Sequence, residues 1–332
     1  MQKVLCIFPP TRNRAKVSPL STNARTIDRR RFLSGAAAAL LVAPLSALTT
    51  TRSSAIGHIS LSDGHLTVVS DGFMQLPVSF SFPGAPEDEL KMLLSGAGLS
   101  ADTLKNDCNI TLLRRGDRLA IFDVGAGSNF LPTTGKLLQN LAETGIEPKD
   151  VTDVIFTHAH PDHLWGLTDE FDDLVFPNAR YQISAGEWEF WSSPKAVELM
   201  PEDRKIFAVG AQNRFAMVEE VVSLFKPGDE VFPGVEAVDT NGHTPGHVSF
   251  AVHGGTEPVL IAGDAIVNVA VSLMRPDWPM ASDQDPHEGA RTRTLLLDRI
   301  ATERMRLIAF HFPHPATGLI ERKDNTYRFV PA

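Results

Sequence analysis

Residues 157–163 read T-H-A-H-P-D-H and carry three imidazoles and one carboxylate in seven positions: His158, His160, Asp162 and His163. Neutral imidazole and carboxylate are ligands for zinc and similar divalent ions. Three groups of the same chemistry follow: His247 at the end of G-H-T-P-G-H, Asp264 after Gly263, and His311. Seven ligands exceed the four or so that one zinc takes. They suit two ions close together, bridged by one carboxylate and a water-derived hydroxide. In an extended loop His158, His160 and Asp162 point alike and His163 is out of phase, so two ligands can face each ion. The only cysteines are Cys6 and Cys108. Metal chemistry must therefore come from His and Asp, and Cys108 reads as a small packed residue.

These groups need a scaffold, and each follows a strand-like run. The apolar, β-branched run 151–156 leads into the first stretch, and Pro161 argues against a helix through its middle. His247 lies in a turn-rich loop after a strand over 235–239, where Gly242, Pro245 and Gly246 permit tight backbone. Asp264 ends a strand over 259–262 and His311 one over 306–310. The pattern also predicts a hairpin from strands 58–70 and 76–80 turning at Asp71-Gly72, and a loop with a short helical piece over 83–98 that could flap over a cleft. Strands 110–113 and 119–122 turn at Arg115-Gly116-Asp117. Helices are predicted over 132–144, from Ser184 with Glu187 completing a capping box, over 201–217, and over 286–303. Further strands fall at 175–183, 248–252 and 327–330. Strands in runs with helices interspersed predict an α/β sandwich of sheets covered by helices, as one domain over residues 56–332.

The composition, 43% hydrophobic and 21% charged, is that of a globular protein. Net charge is -9, but residues 1–55 hold 9 of the 31 basic side chains and 1 of the 40 acidic ones, leaving 22 against 39 in the remainder. So acidic a body argues against a nucleic-acid partner. Residues 1–55 read as an N-terminal leader: Arg29-Arg30-Arg31-Phe32-Leu33, an apolar run too short to span a membrane, then small residues. The arginine cluster resembles a twin-arginine export signal, with cleavage fitting after Ala47 or Ala55 and a periplasmic or secreted destination.

H-x-H-x-D-H, H-T-P-G-H, G-D and a late His together resemble the metallo-β-lactamase superfamily of hydrolases. Ser70-Asp71-Gly72, Phe176-Pro177-Asn178-Ala179 and Tyr327-Arg328-Phe329-Val330-Pro331 look like its methyl parathion hydrolase branch, which adjoins lactonases. The resemblance implies a four-layer αβ/βα sandwich, two mixed β-sheets flanked by helices, and a homodimer. It implies that His158, His160 and His247 bind one ion, that Asp162, His163 and His311 bind the other, and that Asp264 bridges. Zinc is the default, with manganese, iron or cobalt able to occupy such sites. Asp123 looks like the aspartate that steadies the ligand loop. His243 reads as a support of its loop and His314 as structural. Best-known bacillus-type lactonases carry a tyrosine three residues after the bridging aspartate; here that position is Val267.

The expectation is a dinuclear hydrolase using a metal-bridging hydroxide on a small apolar ester-like substrate: a lactone or aryl ester, with phosphotriesters as an allied activity. Asp264 or Asp162 would shuttle the proton. Phe130, Trp188, Trp191, Phe207 and Val267 are candidate pocket linings, with core packing the alternative for each. A β-lactamase and a non-hydrolytic diiron relative are the competing enzyme readings, and a metal-stabilised binding protein the non-enzymatic one.

Overall fold

The computed structural model describes residues 57–332; the leader over 1–55 lies outside the described residues. The chain builds two seven-stranded sheets. The first runs in chain order: β1 (Gly57–Ser60), β2 (Gly64–Pro77), β3 (Thr103–Arg115), β4 (Arg118–Phe122), β5 (Asp153–Ile155), β6 (Arg180–Ser184) and β7 (Val222–Phe225). The second holds β8 (Glu230–Phe232), β9 (Val235–Asp239), β10 (Val248–Val252), β11 (Val259–Ile261), β12 (Arg306–Ile308), β13 (Thr317–Lys323) and β14 (Thr326–Pro331). Both are mixed. Strands β4 to β7 are parallel neighbours, as are β11 and β12, and the other pairs are antiparallel.

The layering follows from alternation along the strands. On β3, Leu112 joins the cluster that includes Leu137, Ala208 and Phe215 of the covering helices. Its neighbour Leu113 faces the other way, into the seam between the sheets, with Leu66, Phe122, Phe250 and Val252. Beyond the second sheet, Ala251 and Leu260 pack on Leu296, Leu297 and Ile300 of the helix Pro286–Glu303. The order is therefore helices, sheet, sheet, helix, the four-layer arrangement that the family resemblance implies. Each fully buried Leu or Phe in these seams contributes about 1.5–3 kcal/mol.

The helix Pro286–Glu303 has the bounds the sequence predicts, because its signals are local. Asp285 caps it by accepting the Glu288 N–H at 3.0 Å, Pro286 fits the first turn, and Arg304 ends it in a left-handed conformation. Elsewhere tertiary structure overrides local signals. Asp71-Gly72 is not a hairpin turn: β2 runs straight through it, with a register shift between Ser70 and Gly72. Such a bulge releases one residue from the ladder, and the freed Asp71 accepts N–H bonds from Ala126 (2.9 Å), Gly135 (3.2 Å) and Leu137 (2.8 Å). Gly72 has φ 103 and passes so close to Thr133 that a Cβ there would lie 2.1 Å from the Thr133 carbonyl oxygen. The strand expected over 175–183 begins only at Arg180, after a turn through Pro177 and Asn178. Among the described residues no helix is long and apolar enough to cross a membrane.

Candidate metal centre

The stretch 157–163 leaves the C-terminal end of β5 beside the end of β4, where parallel strands open a crevice. Asp123, with φ 64 just past β4, fixes it. Its carboxylate accepts the Thr157 N–H and O–H, both at 2.8 Å, and lies 2.8 Å from His163 Nδ1. This is the steadying role expected of Asp123. Pro161, however, does not keep the stretch out of helix. It sits in the first turn of Pro161–Leu164, where its missing N–H costs nothing, with His160 extended ahead of it. The turn carries Asp162 and His163 one after the other into the crevice.

Two groups of side chains converge there. In the first, His160 Nδ1 lies 3.0 Å from His158 Nε2 and 2.9 Å from His243 Nε2. In the second, His163 Nε2 lies 3.5 Å from Asp162 Oδ2 and 3.2 Å from Asp264 Oδ1, and His311 Nε2 lies 3.4 Å and 3.1 Å from Asp162 Oδ2 and Asp264 Oδ2. Asp264 Oδ2 is also 3.3 Å from His243 Nε2, so Asp264 stands between the groups. Ligand atoms around a tetrahedral zinc at ordinary bond lengths are separated by roughly 3.3 Å. Moreover, Asp162 Oδ2, His163 Nε2 and Asp264 Oδ1 are buried with no hydrogen-bond partner among the described residues. Orphaned buried polar atoms are costly. Three of them aimed at one point fit a cation.

The histidine of H-T-P-G-H that joins the first group is His243, not His247. His247 directly precedes β10 and is anchored beneath the crevice, with Nδ1 2.8 Å from Thr240 Oγ1 and Nε2 accepting the Asp264 N–H at 3.0 Å. Both ring nitrogens are engaged, so none is free to ligate. Burial pushes its pKa down to about 3, which keeps it a neutral acceptor. His243, higher in the loop, turns Nε2 into the crevice because Asp283 Oδ1 holds Nδ1 at 3.0 Å. The motif offers two histidines four apart, and only the loop's path distinguishes them.

Electrostatics divide the two groups. Burial, with neighbouring imidazoles adding to it, holds His158 and His160 well below the usual histidine range, in the neutral ligating form. Burial also disfavours charge on His163 and His311, but Asp264 and Asp162 outweigh it and raise both. The second group thus binds protons more strongly than the first, and a divalent cation would compete with protons there.

Sequence reasoning missed Asp283 and misread Glu187. Glu187 is fully buried and does not complete a capping box. Ser184 caps the helix Ala185–Ser192, accepting the Glu187 N–H at 3.2 Å, while the Glu187 carboxylate reaches the other way. It accepts from the Ala159 N–H (2.9 Å), Trp191 Nε1–H (2.5 Å), Thr244 O–H (2.8 Å) and Gly246 N–H (3.0 Å). Burial raises its pKa, and these four donors pull it back. Gly246 is required here: a Cβ would lie 2.0 Å from the Glu187 backbone nitrogen. Cys108 is fully buried in the core, as expected.

A cavity of about 270 Å³ opens over both groups, touching His160, Asp162, His243, Asp264 and His311. Of the residues proposed to line it, Phe130, Phe207 and Val267 do; Trp188 and Trp191 do not. Trp188 stacks on Phe215 at 4.4 Å, and Trp191 is fully buried behind His160 with its indole N–H on Glu187. The early segment contributes Leu76, Phe80 and Phe82 to the wall, while Leu90 and Leu94 of the following helix pack behind them.

The family model of the metallo-beta-lactamase superfamily matches residues 105–304. Metallo-beta-lactamase domain-containing protein 1 of Xenopus laevis is 29% identical over 223 residues, 65% of this chain and 78% of that protein. Among solved structures, AidC, a dizinc quorum-quenching lactonase in complex with a product, superposes with a TM-score of 0.79 at 26% identity, covering 83% of this chain and 97% of that one. The hydrolase AbOPH of the beta-lactamase superfamily gives 0.77 at 26% identity over the same shares.

Proposed function

This chain belongs to the metallo-beta-lactamase superfamily of metal-dependent hydrolases, and we propose that it uses two divalent metal ions to open a small apolar lactone or ester, in the manner of the lactonase and methyl parathion hydrolase branch. The observation that carries the reading is Asp264, set between a three-histidine group and an Asp/His group, with an apolar cavity directly above. His158, His160 and His243 would hold one ion and Asp162, His163 and His311 the other, with Asp264 standing between the two groups. Zinc is the expected metal. Such ions supply Lewis acidity and bring the ionisation of water close to neutral pH.

The chain's own residues do the rest. Asp264 faces three imidazoles, His163, His311 and His243, whereas Asp162 faces two, His163 and His311. Asp162 and Asp264 both lie on the cavity wall, and either carboxylate would take the proton from the attacking water and return it to the leaving oxygen. Phe130, Phe207 and Val267 exclude water and hold the apolar part of the substrate. Among the described residues no tyrosine lines the cavity, so a phenol supplies none of the carbonyl activation. A twin-arginine-type leader directing the chain to the periplasm, and a homodimer, complete the proposal.

The test is a panel of acyl-homoserine lactone, aryl ester, paraoxon-type phosphotriester and nitrocefin, run beside elemental analysis of the same preparation. Two ions per chain with lactone or ester turnover is expected. Metal-replete protein that turns over none of the first three substrates sinks the reading; nitrocefin hydrolysis alone replaces it with a β-lactamase.

A further inference from the structure

The two groups of candidate ligands share one support, Thr157 on Asp123, whose Oγ1 lies 3.0 Å from His158 Nδ1 and 3.4 Å from His163 Nδ1, and differ in the rest. In the second group, His163 Nδ1 rests on Asp123, His311 Nδ1 lies 3.0 Å from the Asp107 carbonyl, and the Asp264 backbone donates to His247. None of these supports involves Glu187. In the first group, Glu187 bonds the backbone of Ala159, between His158 and His160, and also Thr244 and Gly246, just beyond His243. One buried carboxylate thus ties together the two loops that carry the three histidines. No Lys, Arg or His lies within ion-pair distance of it among the described residues. Unpaired buried carboxylates are expensive, and a surface-helix capping role would not need one.

We propose that Glu187 is a positioning residue for one metal position only: it sets the affinity of the His158/His160/His243 position and leaves the Asp162/His163/Asp264/His311 position unaffected. The inference rests on the dinuclear reading above. The physical basis is that all four partners of Glu187 are donors, and only a carboxylate presents acceptors on both oxygens. In Glu187→Gln the amide NH2 must face either Ala159 and Trp191 or Thr244 and Gly246. Either choice sets donor against a backbone N–H and loosens one of the two loops, while none of the four Glu187 bonds is made to the side chain of Asp123 or His247. Outer supports of metal-binding histidines typically carry about 10–100-fold in affinity.

The experiment uses the whole purified chain, stripped by chelation and titrated with zinc against a chromophoric competitor. Two binding steps are expected for the wild type, and His243→Ala identifies the step belonging to the three-histidine position. In Glu187→Gln that step weakens about 10–100-fold while the other keeps its affinity. A merely structural role would lower both steps together with the melting temperature, and that result overturns the proposal, as do two unchanged steps. If Glu187→Gln does not fold, Thr244→Val decides. It keeps the carboxylate and the shape but removes one of its four bonds, and the same one-sided weakening is expected; its absence overturns the proposal. A wild-type chain that binds only one ion refutes the dinuclear reading itself, and this inference with it.

Discussion

Asp283 Oδ1 lies 3.0 Å from His243 Nδ1, on the edge of the ring turned away from the metal centre, and its other oxygen is 3.4 Å from the guanidinium of the buried Arg293. A carboxylate on one ring nitrogen fixes the tautomer that offers the other nitrogen as a lone pair. Asp283→Asn can turn its NH2 to the ring and favour the opposite tautomer. Zinc affinity at the three-histidine position should fall about 10–100-fold, read by chelator competition. Unchanged affinity would show that His243 needs no such partner.

Exchanging the roles of the two histidines in H-T-P-G-H gives a direct contrast. His243→Ala should bind about one ion per chain by elemental analysis. His247→Ala should still bind two, because neither of its ring nitrogens faces the crevice. It should instead lose about 1–3 kcal/mol of stability in denaturant titrations, since the Asp264 N–H is left without an acceptor. The reverse outcome, one ion in His247→Ala and two in His243→Ala, contradicts the geometry.

Acidification should empty the two positions in sequence. His163 and His311 have raised pKa values, so as pH falls they take up protons first and compete with the ion at their position. His158 and His160 are held low and stay neutral over the same range. Zinc affinity at the Asp162/His163/Asp264/His311 position should drop by up to about 100-fold per pH unit where two protons are taken up, ahead of any loss at the other position. Titrations at pH 7, 6 and 5.5 check the order, and simultaneous loss from both positions contradicts it.

Pocket and core separate through Phe130 and Trp188. Phe130 lines the cavity, and Phe130→Ala should raise KM for a long-chain acyl lactone about tenfold with little change in melting temperature. Trp188 packs on Phe215 instead. Trp188→Ala should cost up to about 3 kcal/mol in stability and leave KM alone. A KM effect from Trp188→Ala as large as that from Phe130→Ala would put the tryptophan back in the pocket.

Much of this centre was legible in the sequence, because His158, His160, Asp162 and His163 are consecutive, and Asp264 and His311 each directly follow a strongly apolar strand. What failed depended on the chain's path in space. His243 and His247 are equivalent as residue types, and only the loop's rise and return separates a ligating ring from a supporting one. Asp71-Gly72 carries a genuine turn signal, but the pairing of β2 with β3 converts it into a bulge. Glu187 occupies the position a capping box requires, and its side chain takes the longer reach because four donors, from Ala159, Trp191, Thr244 and Gly246, converge on it. β7, β8 and β13 are not anticipated, since they are short or only weakly alternating.

Asp264 and His311 follow strands of the second sheet, and His243 lies in the loop between two more of them, whereas His158 to His163 follow a strand of the first. Ions held at this centre would therefore act as a cross-brace between the halves of the sandwich. Stripping them should do more than silence chemistry: it should let the sheets part more readily, lowering protection against hydrogen exchange along the shared seam. Metal content would then gauge mechanical integrity.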